Sequence, residues 1–300
     1  MDLNFVRLVF TLKLETDCAD SLALFGLKPF FLEALRQAAG CSQEPCAREG
    51  DCAYHHLTSQ ELSLDPAALK RFQKPAYPFV FDVPVIPPLP NAGSTVELGV
   101  TLAGTAVVHV DAMTAAISGL LTASPLRQKF RATIVQLETV GHDGSRSRIS
   151  LDGPQQAGGQ VVTLSLRGLL AATVLPVDRL VITLMTPLRL MSEGRPRKEF
   201  DGAHFLRALL RRLSSLVYYY GGEAAEYDFK WLSAQSLQVE TAVADFRWVE
   251  QGSRWSGVLG SVRFTGLLTD FHPFLLAGEL VHVGKGASFG MGAYRVDKGA

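Results

Sequence analysis

Three cysteines and two histidines crowd the stretch between residues 41 and 56: Cys41, Cys46, Cys52, His55 and His56. The spacing is C-x4-C-x5-C, with a histidine two or three residues further on. Three thiolates and one imidazole make an acceptable tetrahedral zinc set. Taking the second histidine as the fourth ligand gives Cys41, Cys46, Cys52 and His56 as a structural zinc site. That choice leaves His55 free for proton transfer, for which an imidazole that titrates near neutrality is suited. The same pattern also fits a surface loop with free thiols and no metal.

A second suggestive stretch lies near the C-terminus, Gly284-Lys285-Gly286-Ala287-Ser288-Phe289-Gly290-Met291-Gly292. Glycines admit positive φ angles and close approach of a ligand, and consecutive N–H groups can face phosphate oxygens. Lys285 adds a cation and Phe289 a ring on which a base can stack. The competing reading is a tight turn over a sheet with Phe289 in the core. A dinucleotide fingerprint is excluded by context: it opens a helix and needs an acidic residue about 20 positions on, whereas eight residues remain after Gly292.

The elements that must position these groups follow from periodicity. Residues 5–14 read as a strand and 28–39 as a helix with Pro29 in its first turn. The cysteine-bearing insertion comes next. Residues 78–86 and 94–103 read as paired strands, 109–121 as a helix and 130–140 as a strand. The order β-α-β-β-α-β is that of a ferredoxin-like domain. After a glycine-rich stretch and a hairpin expected within 141–170, the order recurs. It gives a strand at 179–190, a helix at 203–219 stopped by Gly221-Gly222, a hairpin of 237–250 and 256–268, a helical element at 271–283 and a strand at 293–297. The expected class is α+β, with tandem ferredoxin-like domains over residues 1–145 and 176–300 and a linker over 146–175.

Charge narrows the partners. The chain carries 29 basic and 29 acidic residues, so no global field favours nucleic acid. Between Thr186 and Ser215, however, seven basic side chains (Arg189, Arg195, Arg197, Lys198, Arg207, Arg211, Arg212) face three acids (Glu193, Glu199, Asp201). A local excess of that kind suffices for phosphate binding. The N-terminus alternates in polarity and no later stretch is long and charge-free enough for a membrane span, so a cytoplasmic protein with reduced thiols and no membrane partner is expected.

The run from Ala277 through Val283 into the glycine stretch and on to Ala293-Tyr294-Arg295-Val296 resembles the C-terminal signature of the CRISPR-associated repeat-processing endoribonucleases of the RAMP superfamily. Thr186-Pro187-Leu188-Arg189-Leu190, Gly194-Arg195-Pro196, Phe200 and the helical Leu209-Leu210-Arg211-Arg212-Leu213-Ser214 agree with it. The resemblance is specific over residues 180–297 and architectural over the first domain.

The resemblance implies a metal-independent endoribonuclease that cuts precursor CRISPR RNA within each repeat. Attack by a 2′-hydroxyl would leave a 2′,3′-cyclic phosphate and a mature crRNA, often retained. RNA contacts are then expected from Gly284, Lys285, Gly286, Ser288, Phe289, Gly290, Gly292, Arg195, Arg207 and Arg211. In this family a catalytic histidine, where used, usually follows the first helix of the first domain, the neighbourhood of Tyr54, His55 and His56. Arg36, Lys70 and Lys74 are candidate electrostatic helpers. Of the other histidines, His109 and His142 read as surface residues, His204 as a phosphate contact, and His272 and His282 as packing or capping groups. No cofactor is required for such a cut. The alternative reading is a non-catalytic RAMP-type subunit that grips crRNA in a CRISPR effector complex; a homodimer is a further expectation.

Overall fold

The computed structural model describes residues 3–18, 20–42, 46, 51–66, 74–84, 90–151, 160–221, 227–252 and 255–297. The first domain holds β1 (Asn4–Leu14), α1 (Lys28–Ala38), a short helix α2 (Ala53–Thr58), β2 (Phe79–Asp82), β3 (Thr95–Ala103), α3 (Val110–Thr122), β4 (Ala132–Val140) and β5 (Arg146–Arg148). The strand order is β2-β3-β1-β4-β5, antiparallel throughout. The first four strands have the ferredoxin-like arrangement, and α1 and α3 pack together against them. The candidate membrane-length stretch Gly104–Thr122 is half buried inside the protein and includes α3.

The second domain repeats the plan. It contains β7 (Arg179–Leu184), α5 (Gly202–Tyr220), β10 (Glu240–Gln251), β11 (Trp255–Thr265), α7 (His272–Val281) and β12 (Tyr294–Asp297), with sheet order β10-β11-β7-β12. Between β7 and α5 sits a small hairpin, β8 (Met191–Ser192) with β9 (Arg195–Pro196), and a short helix α6 (Phe229–Gln235) precedes β10. Helix α5 starts where Asp201 accepts the His204 N–H at 2.9 Å, which satisfies one of the otherwise unpartnered amides of a helix N-terminus. Its apolar stripe, Phe205, Leu206, Leu209, Leu213 and Leu216, is buried, which leaves Arg207 and Arg211 on the opposite side.

Two expectations are corrected. The strand expected to reach residue 190 stops at Leu184, because Thr186 and Pro187 turn the chain. The hairpin expected within 141–170 is not seen as one unit among the described residues. Instead β5 folds back on β4, β6 (Leu164–Ser165) pairs with the start of β1, and α4 (Leu166–Ala172) follows. Leu164 and Leu166 of this segment, and Leu175 just after α4, belong to the core of the second domain.

The two cores interlock. Leu3, Phe5, Val80 and Ala103 of the first domain pack into the second core, while Phe289 and Met291 pack into the first. Gly104 lies at φ +61°, and a Cβ there would overlap the backbone carbonyl oxygen of Tyr220 at the end of α5. Only glycine lets the segment leading into α3 approach α5 so closely.

Candidate nucleic-acid interface and catalytic recess

The exposed side of α5 and the start of the glycine stretch enclose a cleft of about 620 Å³, with Lys74, Pro75, Arg189, His204, Arg211, Arg212, Lys285 and Gly286 among its walls. A neighbouring hollow of about 450 Å³ shares His204 and Arg211 and adds Arg207, Phe229 and Lys230. Cations thus line both hollows in a chain of zero net charge. Arg212 donates to the Val281 carbonyl at 2.7 Å and to Ser288 Oγ at 3.1 Å, tying α5 to the glycine stretch. Burial pulls its pKa down to about 10, which leaves it charged at neutral pH.

The glycine stretch divides in two. Gly284, Lys285 and Gly286 reach the cleft. Ser288, Phe289, Gly290 and Gly292 are buried. Phe289 stacks on Phe81 at 5.9 Å and meets Tyr77 and Phe79 edge-on, with Lys28 Nζ 5.5 Å from its ring centre. The expectation that it stacks a base is therefore corrected: both the ring and its surroundings belong to the core. The expected amide cradle is corrected too. The N–H groups of Lys285, Phe289 and Gly292 donate to the carbonyls of Arg189, Gly286 and Pro187, at 2.9, 2.9 and 3.0 Å. Thr186 Oγ1 donates to the Gly290 carbonyl at 2.7 Å and accepts the Ala293 N–H at 2.9 Å. The Thr186–Leu190 turn thus serves as the frame that holds the stretch. Arg195 is exposed on the small hairpin, and Arg207 turns back to the Ala203 carbonyl at 3.2 Å.

At Pro75 the cleft meets a recess of about 290 Å³, walled by His55, His56, Ser59, Glu61, Tyr219 and Tyr220. Here His56 Nδ1 lies 2.7 Å from His109 Nε2, and His56 Nε2 lies 3.0 Å from Thr105 Oγ1. One proton between the two rings makes that contact a hydrogen bond. Burial lowers the pKa of both imidazoles, and the neighbouring His56 lowers that of His109 further. The Tyr220 ring lies 6.1 Å from that of His56, and burial raises its hydroxyl to about 12. His109 was expected to be a surface residue, and nothing local in the sequence marks it. Tyr54 packs against the core of the first domain and is not among the residues lining this recess. The tyrosines at the recess are Tyr219 and Tyr220.

On its other side α2 meets the cysteines. A ring nitrogen of His55 and the sulfurs of Cys41 and Cys46 lie within 4.8 Å of one another. The Cys52 thiol lies beside those of Cys41 and Cys46. Burial first, then the adjacent thiols, push Cys41 up to about 11. Burial would also raise Cys52, but the His55 amide, the Cys46 thiol and the Tyr54 amide outweigh it and hold that thiol low. The histidine among the cysteines is thus His55, whereas His56 faces His109. The expected zinc set named His56, whereas the imidazole beside the thiols is that of His55.

Of the remaining candidates, Arg36 forms a two-point pair with Glu33 at 3.1 Å on the outer side of α1. Lys70 lies outside the described residues, and Lys74 reaches the cleft. His142 Nε2 accepts the Ser165 N–H at 3.0 Å, and His272 Nε2 meets the Pro176 carbonyl at 3.1 Å.

Residues 182–294 match the family model of the CRISPR-associated endoribonuclease Cas6, and residues 3–160 match a model described as an N-terminal domain. Similar solved structures include Thermus thermophilus Cas6, 15% identical over 98% of this chain and 99% of that one, with a TM-score of 0.53. A Cas6 product complex is 17% identical over 98% and 99%, also with a TM-score of 0.53. A partial Cas6-RT-Cas1–Cas2 complex is 15% identical over 99% of this chain and 46% of that one, with a TM-score of 0.59. Such distant likenesses show the tandem ferredoxin-like fold. No curated protein sequence matches significantly.

Proposed function

Because residues 182–294 match the model of the CRISPR-associated endoribonuclease Cas6, we propose that this chain is a Cas6-type enzyme that cuts precursor CRISPR RNA through the His56–His109 pair, without a metal ion in the reaction. The observation that carries this reading is the place of the pair. It sits in a recess that opens, at Pro75, from the lysine- and arginine-lined cleft.

The RNA backbone runs along the cleft, held by Lys285, Arg211 and Lys74. In the recess a 2′-hydroxyl attacks the adjacent phosphorus, and the bond from phosphorus to the 5′-oxygen breaks. A base takes the proton from the 2′-hydroxyl and an acid gives one to the departing 5′-oxygen, so the products are a 2′,3′-cyclic phosphate and a free 5′-hydroxyl. His56 exchanges Thr105 Oγ1 for the RNA at its Nε2. His109, through its Nε2, holds the His56 ring at Nδ1 and accepts or returns the proton. The cations of the cleft stabilise the added charge on phosphorus. This work belongs in the cytoplasm with CRISPR repeat RNA as partner. The Cas6-RT-Cas1–Cas2 neighbour supports a place in a larger assembly.

The test is single-turnover cleavage of the cognate repeat RNA with a chelator present, read by product end groups. One cut per repeat, a cyclic phosphate end and survival of RNA carrying a 2′-deoxy sugar at the cut site are expected. Full cleavage of the deoxy substrate would overturn the mechanism. Tight binding with no cleavage would leave an RNA-holding subunit.

A further inference from the structure

Helix α2 is six residues long and fully buries only Leu57. A helix this short gains little from its own hydrogen bonds and must be held by its surroundings. Its N-terminus begins at Cys52, which is buried, and the amides of Tyr54 and His55 face the Cys52 sulfur. Cys41, also buried, lies just past α1, and Cys46 reaches the same spot. His55 Nε2 is buried with no hydrogen-bond partner, an arrangement that costs free energy unless something fills it.

We propose that Cys41, Cys46, Cys52 and His55 bind one zinc ion, which staples the chain after α1 to α2 and thereby fixes the helix that carries His56. On binding, the three thiols release their protons, and the sulfurs and one imidazole nitrogen donate electron pairs to the ion. Soft sulfur donors with imidazole select zinc over magnesium or calcium, which take oxygen ligands. Zinc–sulfur bonds of about 2.3 Å place tetrahedral ligand atoms about 3.8 Å apart. The Cys41, Cys46 and His55 atoms, all within 4.8 Å of one another, need only a small inward movement, and the Cys52 thiol beside Cys41 and Cys46 supplies the fourth donor. Four protein ligands close the coordination sphere, so the ion is structural and lies apart from the reacting RNA.

The test is elemental analysis of the full-length protein purified without chelator. About one zinc per chain is expected. His55→Ala and Cys52→Ser should lose it, while His55→Cys, which restores a fourth soft ligand, and His56→Ala should keep it. Cobalt added to metal-stripped wild-type protein should give a sulfur-to-cobalt charge-transfer band, a readout that needs no variant. Retention of zinc by His55→Ala would overturn the ligand set. Absence of both zinc and the cobalt band, or a disulfide among these cysteines, would overturn the site. None of those results touches the cleavage reading, which rests on His56 and His109.

Discussion

The two sides of helix α2 carry the same residue type in different surroundings. On one side His55 turns a nitrogen toward the sulfurs of Cys41 and Cys46. On the other, His56 shares a proton with His109 and opens on a recess lined by Tyr219 and Tyr220. Neighbours on a helix point about 100° apart, so one short helix can anchor itself with one imidazole and present the next to RNA. The side that anchors is built within the span 41–55. The side that faces the recess, the proposed reacting side, is assembled from distant places: α2, the segment before α3, and the end of α5. Local spacing therefore announces the first, and only docking of the two domains creates the second.

Variants that act on one side alone sharpen this contrast. The largest effect is expected from Gly104→Ala. Its Cβ would overlap the Tyr220 carbonyl at a positive φ, separating α5 from the segment that holds Thr105 and His109. A loss of roughly 3 kcal/mol or more in denaturant unfolding is expected, with loss of cleavage alongside it. Unchanged stability would mean that the domains are not welded there. His109→Ala should come next, slowing cleavage roughly ten- to a hundredfold while zinc content and RNA affinity hold. His109→Gln, which keeps a hydrogen-bonding group beside His56, should recover part of the rate. No effect of either variant would remove His109 from the reacting side.

Lys285→Ala should weaken RNA binding a few-fold and flatten its salt dependence by about one unit of slope, with the melting temperature held. A fall in melting temperature without a change in salt slope would make the exposed end of the glycine stretch structural. The smallest effect concerns His282, buried at the end of α7 among Asp82, Arg212, Arg295 and Arg7, where burial holds its pKa down to about 4. The unfolded chain takes a proton near pH 6.5 that the folded chain refuses until about pH 4. Stability contributed by this group is therefore complete above pH 6.5 and declines as pH falls toward 4. His282→Gln should flatten that part of the pH–stability curve. An unchanged slope would assign it to other groups.

The fold was largely legible because it is written in local patterns. Pro29 marks the start of α1, and Gly221 the end of α5. The recess was less legible. The sequence singled out His55 and His56 but gave no rotational phase for a six-residue helix with one buried anchor, so it did not show which imidazole faces the cysteines. His109 comes from more than fifty residues away and Tyr220 from the other domain, and no spacing links them to His56. The glycine stretch misled for a different reason. Positive φ angles and small side chains serve ligand approach and tight packing equally, and only burial shows that Phe289 belongs to the first-domain core while Lys285 faces the cleft.

The division of labour across α2 is tested most directly by the single-turnover cleavage rate of His56→Ala on cognate repeat RNA, with zinc content and RNA affinity measured on the same preparation. The account predicts a rate roughly 10²–10⁴-fold below wild type, with zinc and affinity unchanged. Cleavage at the wild-type rate, or zinc lost together with activity, would contradict it.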